Sequence, residues 1–359
     1  MIIDNHAHIL PAHDSLADWD FTNREEQSRH AQRLLYVMRS RAVRCMSDDA
    51  VAPDAWRGLW AENRAGQWEG CQEVGFRYED GKYIWEENGI SYYVPAWEAA
   101  PPEKLIALMD VVGIDQAVIQ TPRNINRYLA CAARKYPGRL LPLAAVEESS
   151  ASASVGVDAL HSRIEDLGLR GLYFDPLPGW EGFENFHTEK YAVFWREVAA
   201  LHIPVYFGGN FKPWHFAEML PRVREWVVRF PHIVRVLVHG FPPELFLTDD
   251  GLVRVPDVVR DIMLDYDFYV EVLPLAHRHY RHPRALEVIR ALYDEFGPER
   301  LLWGSEFIKG GAPHTPANYA VRLHFLEVHC SFMSQRDLAL ILGENARRIF
   351  GAAGCRNCR

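Results

Sequence analysis

Short apolar runs rich in Val, Ile, Leu and aromatic residues return along this chain with helix-patterned stretches between them, and that alternation restricts the fold more than any other feature. It is the pattern of βα units laid side by side in a parallel sheet. The runs that qualify as strands are Met1 to His8, Gln116 to Thr121, Leu140 to Val146, Gly171 to Asp175, Pro204 to Gly209, Val234 to Gly240, Phe268 to Leu273, and Leu301 to Glu306. Most are continuously apolar, as strands covered on both faces should be. Helices are predicted over Pro102 to Val112, Asn126 to Tyr136, Val155 to Leu167, Tyr191 to His202, Phe216 to Phe230, Pro283 to Phe296, Asn318 to Val328, and Ser334 to Phe350. Tyr136-Pro137-Gly138 and Phe296-Gly297-Pro298 are stop signals, and Ser334 with Asp337 three residues on is an N-cap pattern. Eight alternations fit a closed α/β barrel, the (β/α)8 TIM barrel, better than an open sheet, and such a barrel gathers function at the C-terminal ends of its strands.

The expected organisation is one barrel domain over residues 1–351, with 9–101 as a long insertion after strand one and 352–359 as a tail. The insertion carries Trp19, Trp56, Trp60, Trp68, Trp85 and Trp97. An insertion there is expected to form a cap over the barrel mouth. Its aromatics would equally suit a small core of its own or the interface of a homodimer. Gly75 to Trp85 reads as a hairpin turning at Asp80-Gly81. Hydrophobic residues at 48% provide material for a buried core, and a net charge of −9 argues against a nucleic-acid binder. No basic-then-apolar leader and no apolar run near the roughly 18 residues that span a bilayer is present, so a cytoplasmic location is expected. Six cysteines without secretory context read as thiols, and Cys355-x-x-Cys358 lacks the second pair that a zinc site would need.

His6 and His8 end the first apolar run. Residues i and i+2 of a strand face the same way, so both imidazoles would project side by side and could hold one metal ion. Alone, the pair could equally be two polar residues alternating at a strand end. Strand six, however, ends at His239 and strand eight at Glu306. Three histidines and a carboxylate at three strand ends make a nitrogen and oxygen ligand set suited to Zn²⁺ or Mn²⁺ with a position left open.

Ile3-Asp4-Asn5-His6-Ala7-His8, Gly168-Leu169-Arg170-Gly171-Leu172, Ile203-Pro204-Val205, Val238-His239-Gly240, Arg300 to Glu306 and Gly343 to Gly351 together resemble the ordered blocks of the amidohydrolase superfamily. The nearest branch is the "amidohydrolase 2" group of aminocarboxymuconate semialdehyde decarboxylase, related aromatic acid decarboxylases and lactone hydrolases. The resemblance implies that His6 and His8 are metal ligands, that His239 contacts the substrate or the water at the metal, and that Glu306 takes the place of the strand-eight aspartate as ligand and proton carrier. Two positions depart from the pattern. Strand five commonly ends in a histidine ligand, and here Gly208 stands after Phe207. Glutamate for aspartate adds a methylene, which metal distances held to about 0.2 Å do not absorb without a compensating shift. Glu306 could reach into the gap left by Gly208, His215 could fold back as a substitute ligand, or the metal could be bound poorly or not at all.

Basic and acidic groups near other strand ends complete the candidate site: Arg123 after strand two, Asp175 after strand four, Glu271 on strand seven, Arg278 in the run that follows it, and Lys309 after strand eight. Cationic groups at a barrel mouth suit a carboxylate substrate, although a charge run is as readily a solvated face. The expectation is a metal-dependent enzyme acting on a small carboxylated, aromatic or unsaturated compound, with decarboxylation favoured and with His239 and Glu306 as proton carriers. Hydrolysis of a lactone or amide is the alternative, and a barrel that has lost catalysis and now binds a ligand or partner is the second.

Overall fold

The computed structural model describes residues 1–11, 20, 76–79, 82–87, 90–95, 100–120, 125–147, 150–176, 181–208, 213–276, 278–307 and 315–353. The chain divides into two compact units, Met1–Trp19 with Ala100–Arg359, and Asp20–Ala99. The first unit begins with strand β1 (Ile3–Ala7). The second holds an antiparallel sheet of β2 (Phe76–Glu79), β3 (Lys82–Glu87) and β4 (Ile90–Pro95), in which Glu79 pairs with Lys82. That register leaves two residues between the strands, as expected for a hairpin at Asp80-Gly81, which themselves lie outside the described residues. All the named tryptophans except Trp85 also lie outside them, as do Cys355 and Cys358.

The first unit is a parallel barrel. β1 pairs with β5 (Gln116–Ile119), and β5 with β6 (Leu140–Pro142). The third barrel strand is broken at Leu143, after which β7 (Ala144–Ala145) pairs with β8 (Leu172–Phe174). The ladder continues through β9 (Val205–Phe207), β10 (Arg235–Leu237), β11 (Phe268–Val272) and β12 (Leu301–Trp303), every pair parallel. A parallel bridge from Ala7 to Phe307 closes β12 onto β1. Among the described residues these make eight strand positions, with helices between them.

Local signals account for several element ends. The helix Pro102–Val112 starts with proline in its first turn and stops at Gly113, whose φ of +83° takes the chain left-handed. Thr315 caps Pro316–His329 by accepting the Asn318 N–H, and Ser334 and Asp337 form a reciprocal capping box. The predicted helix from Ser334 to Phe350 is instead Gln335–Ala339, a wide π turn over Leu340–Glu344, and Asn345–Ala353. Gly343 lies in the wide turn against strand one: a Cβ there would stand 2.4 Å from the Met1 carbonyl oxygen. Ala346, Ile349 and Phe350 then join Ile3, Val118, Leu141, Val236 and Leu302 in the barrel core. Burial of a side chain the size of Phe350 contributes about 1.5–3 kcal/mol. Between strands and outer helices, Phe174, Phe186, Phe207, Trp195 and Trp226 form an aromatic cluster, with the guanidinium of buried Arg235 4.5 Å above the Trp226 ring. No helix among the described residues is long and apolar enough to cross a membrane.

Candidate active site

Strand β1 delivers Asp4, Asn5 and His6 in succession and the chain beyond it delivers His8, all four buried. As the i, i+2 spacing requires, the two imidazoles meet: their Nε2 atoms are 3.0 Å apart. His6 Nδ1 lies 2.7 Å from Glu271 Oε2, and His8 Nδ1 is bonded to the carbonyl oxygen of Gln120. Both partners are acceptors, so each ring keeps its proton on Nδ1 and directs its Nε2 lone pair at the other ring. Two lone pairs at that separation repel unless a cation lies between them, either a proton or a metal ion. Burial by itself would lower the pKa of His6, but Glu271, with Glu306 and Asp4 behind it, raises it above the ordinary histidine value.

Glu271 organises this wall of the barrel. It sits on β11 with no exposure to solvent, and its carboxylate accepts from Asn5 Nδ2 at 3.1 Å, His6 Nδ1 at 2.7 Å, Gln120 Nε2 at 2.5 Å and the His239 backbone N–H at 2.9 Å. The Tyr206 hydroxyl donates to Asn5 Oδ1 at 2.7 Å, and burial holds that phenol well above its usual pKa, so it stays neutral. Sequence reasoning offered Glu271 as a substrate contact. Its placement corrects that, because both oxygens are taken up by protein donors and none remains for a substrate.

His239 and Glu306 leave their strands in an unusual way. Both have left-handed backbones, with φ of +67° and +54°. The expected strand ends at Gly240 and Glu306 are therefore too long: ladder pairing stops at Leu237 and Trp303. After His239, Gly240 at φ +68° passes so close to β11 that a Cβ would lie 2.2 Å from the Tyr280 hydroxyl and 2.5 Å from the Glu271 carbonyl oxygen. Only glycine meets both demands. His239 Nε2 and Glu306 Oε1 are 4.0 Å apart, too far for a hydrogen bond, and the His239 ring lies 4.9 Å from that of His6. On the other side Asp4, fully buried, accepts from Ser305 N, Ser305 Oγ, Tyr319 Oη and His6 N. Burial raises its pKa, with those hydrogen bonds acting in the opposite direction.

Nitrogens 3.0 Å apart are spaced as two ligands of one first-row metal ion can be, at about 2.0–2.1 Å each. Glu306 adds an oxygen, Oε2, that is buried and has no hydrogen-bond partner among the described residues. Among those residues no three His, Cys, Asp or Glu side chains are gathered around a single point, so the protein offers a two-histidine edge with a carboxylate beside it. The chemistry of these donors fits a divalent cation.

Of the other sequence-predicted residues, Asp175 follows β8 and stands against Gly208 at the end of β9: a Cβ on Gly208 would lie 1.9 Å from Asp175 Oδ1. His215 is buried in the first turn of the helix Pro213–Arg229. Arg278 belongs to a short 3-10 helix, Arg278–Arg281, and its side chain, like Arg123 and Lys309 altogether, lies outside the described residues. Sequence reasoning assigned no role to Asn5, Gln120, Tyr206, Ser305 or Tyr319. Asn5 and Gln120 carried a signal, each being a polar residue within an apolar strand run, where a buried amide needs partners.

The fold is shared with solved amidohydrolases. A probable 2-pyrone-4,6-dicarboxylic acid hydrolase from Acinetobacter baumannii, with citric acid bound, is 17% identical and has a TM-score of 0.55 over 98% of this chain and 99% of its own. A putative 2-pyrone-4,6-dicarboxylic acid hydrolase from Pseudomonas putida is 17% identical, with a TM-score of 0.54 over 98% and 97%. A dihydroxybenzoic acid decarboxylase from Polaromonas sp. JS666, with bound manganese and the inhibitor 2-nitroresorcinol, is 15% identical, with a TM-score of 0.50 over 71% and 87%. No curated protein matches the chain. The amidohydrolase family model matches residues 3–352, nearly the whole sequence, and the chain belongs to that family of metal-dependent enzymes.

Proposed function

We propose that this enzyme decarboxylates a small carboxylated, aromatic or unsaturated compound at the C-terminal mouth of the barrel, with His6, His8 and Glu306 holding a divalent metal ion. The observation that carries the reading is the pair of histidine Nε2 atoms facing each other at 3.0 Å, with a carboxylate nearby whose buried Oε2 has no partner among the described residues. A bound divalent ion, zinc in the first instance and manganese as the alternative, supplies a Lewis acid for a substrate oxygen. Glu271 and the Gln120 carbonyl hold the His6 and His8 rings in the tautomer that presents Nε2. His239 Nε2 and Glu306 Oε1, separated by 4.0 Å, are two distinct proton carriers able to face one substrate carbon. As the carbon–carbon bond breaks, its electron pair stays on the ring carbon and CO₂ departs. His239 or Glu306 delivers the proton that the carbon takes up. Asp175, Arg278, Arg123 and Lys309 remain candidates for holding the remainder of the substrate.

The likeness in fold to 2-pyrone-4,6-dicarboxylic acid hydrolases favours a second reading, ring opening of a lactone, in which the same two groups take a proton from water. The test is a panel of hydroxylated benzoates and pyrone carboxylates, offered to protein loaded with Zn²⁺ or Mn²⁺, with CO₂ release and ring opening followed separately. About one metal ion per chain is expected, lost in His6→Ala/His8→Ala, and turnover is expected to collapse in His239→Ala. Metal-free native protein whose stability and activity do not respond to added metal would sink the metal assignment. Unchanged turnover in His239→Ala would remove that residue from the chemistry.

A further inference from the structure

Glu306 is a non-glycine residue held at φ +54°, a strained conformation that persists only where the surroundings enforce it. The enforcing contacts are all buried. The Glu306 N–H donates to the His6 carbonyl at 2.8 Å, and the His8 N–H to the Phe307 carbonyl at 2.6 Å, which ties the segment to strand one on both sides of the glutamate. Ser305 Oγ accepts the Phe307 N–H at 2.9 Å and so bridges over Glu306 from the residue before it to the residue after it. The same hydroxyl donates to Asp4 Oδ2 at 2.5 Å, while the Ser305 N–H donates to Asp4 Oδ1 at 2.9 Å. Asp4 is fixed in turn by the Tyr319 hydroxyl at 2.6 Å and the His6 N–H at 3.0 Å. One carboxylate therefore ties the backbone of His6 to the backbone that presents Glu306.

We infer that Ser305, acting through Asp4, is the positioning residue that sets Glu306 against the His6–His8 pair. This rests on the reading of Glu306 as a metal ligand. The Ser305 hydroxyl accepts from Phe307 and donates to Asp4 at once, which a methyl group cannot do. Alanine at 305 loses both bonds, the left-handed turn relaxes, and the carboxylate drifts while both imidazoles stay in place. Losing a hydrogen bond that holds a metal ligand in place typically costs about 10–100-fold in metal affinity.

The test is Mn²⁺ binding to folded, metal-stripped protein, followed by calorimetry and by the electron paramagnetic resonance of the bound ion. Wild type is compared with Ser305→Ala, Ser305→Thr, Tyr319→Phe and Glu306→Ala. Ser305→Ala is expected to weaken binding about 10–100-fold. Ser305→Thr keeps the hydroxyl and should recover most of that loss, and Tyr319→Phe should show a smaller loss, since it removes one of the donors that fix Asp4. A general destabilisation would lower the unfolding midpoint without a loss of Mn²⁺ affinity that threonine repairs. If Glu306→Ala binds Mn²⁺ as wild type does, the underlying reading of Glu306 fails. If Glu306→Ala weakens binding but neither Ser305→Ala nor Tyr319→Phe does, the positioning role is overturned. Tyr319→Phe removes one hydroxyl and decides the matter should Ser305→Ala not fold.

Discussion

Glu271→Gln changes one atom and should unsettle the whole wall behind the His6–His8 pair. The glutamate has no solvent exposure, and its oxygens accept from Asn5 Nδ2, His6 Nδ1, Gln120 Nε2 and the His239 N–H. Glutamine replaces one of those oxygens with an amide nitrogen, which can accept nothing. With the nitrogen at the Oε2 position, His6 and His239 lose their acceptor; with it at Oε1, Asn5 and Gln120 do. Either way two buried donors face a third. Each stranded donor costs about 1–3 kcal/mol, and removing one partner of a buried pair typically costs about 3–5 kcal/mol in total. For a domain of this size that is a fall in Tm of about 6–20 °C. The assay is urea unfolding followed by circular dichroism, with the slope checked to be unchanged, and the thermal midpoint measured alongside. Midpoints within error of wild type would show that the four hydrogen bonds do not act together, and the description of Glu271 as an organising centre would be wrong.

Gly208→Ala puts a Cβ 1.9 Å from Asp175 Oδ1 and 2.7 Å from Asp175 Cβ and should destabilise the protein by about 1–3 kcal/mol; in an Asp175→Gly background, which removes both atoms, most of that penalty should vanish, as a double-mutant cycle in urea would read. Phe350→Ala opens the barrel core and should cost about 3–5 kcal/mol in the same assay, while metal content measured on the folded protein stays at the wild-type level. Burial, with Arg222 and Arg229 adding to it and Glu225 opposing, lowers the pKa of His187 below 6.5. The stability that depends on its neutrality is complete above pH 6.5 and is lost as the pH falls through the lowered value, so His187→Gln should flatten the fall in urea midpoint between neutral and mildly acidic pH.

Much of the barrel could be read from the chain because its strands are covered on both faces and stand out as apolar runs. The helix Pro102–Val112 was bounded by a proline and a glycine whose physics is local, and its limits were read to the residue. Strand ends fared worse. The expected strands ran on to Gly240 and Glu306 because nothing in a histidine or a glutamate announces φ above zero; the left-handed turns are imposed by partners far away in the chain, Glu271 for His239 and Asp4 for Glu306. The same distance explains Glu271 itself. An acid inside the run Phe268-Tyr269-Val270-Glu271-Val272 signals a special role, but whether it faces substrate or protein depends on donors more than 100 residues away in sequence. The His6–His8 pair was legible because its geometry needs only a strand.

Gly208 stands where the resemblance to the family leads one to expect a histidine. Its φ is not left-handed, so the backbone does not require glycine there. What requires it is space, because the Asp175 carboxylate from the neighbouring strand end covers the Cα where a side chain would begin. A histidine at 208 and the aspartate at 175 exclude one another whatever the aspartate's rotamer, because the Asp175 Cβ itself would stand 2.7 Å away. The end of β9 is therefore closed to any side chain, because the space that one would occupy at 208 is taken by the Asp175 side chain leaning over from the end of β8. A carboxylate is a harder donor than an imidazole and carries a charge that an imidazole lacks. In the metal site proposed above, a nitrogen ligand from the end of β9 is therefore ruled out by space, and an oxygen donor stands where it would have been.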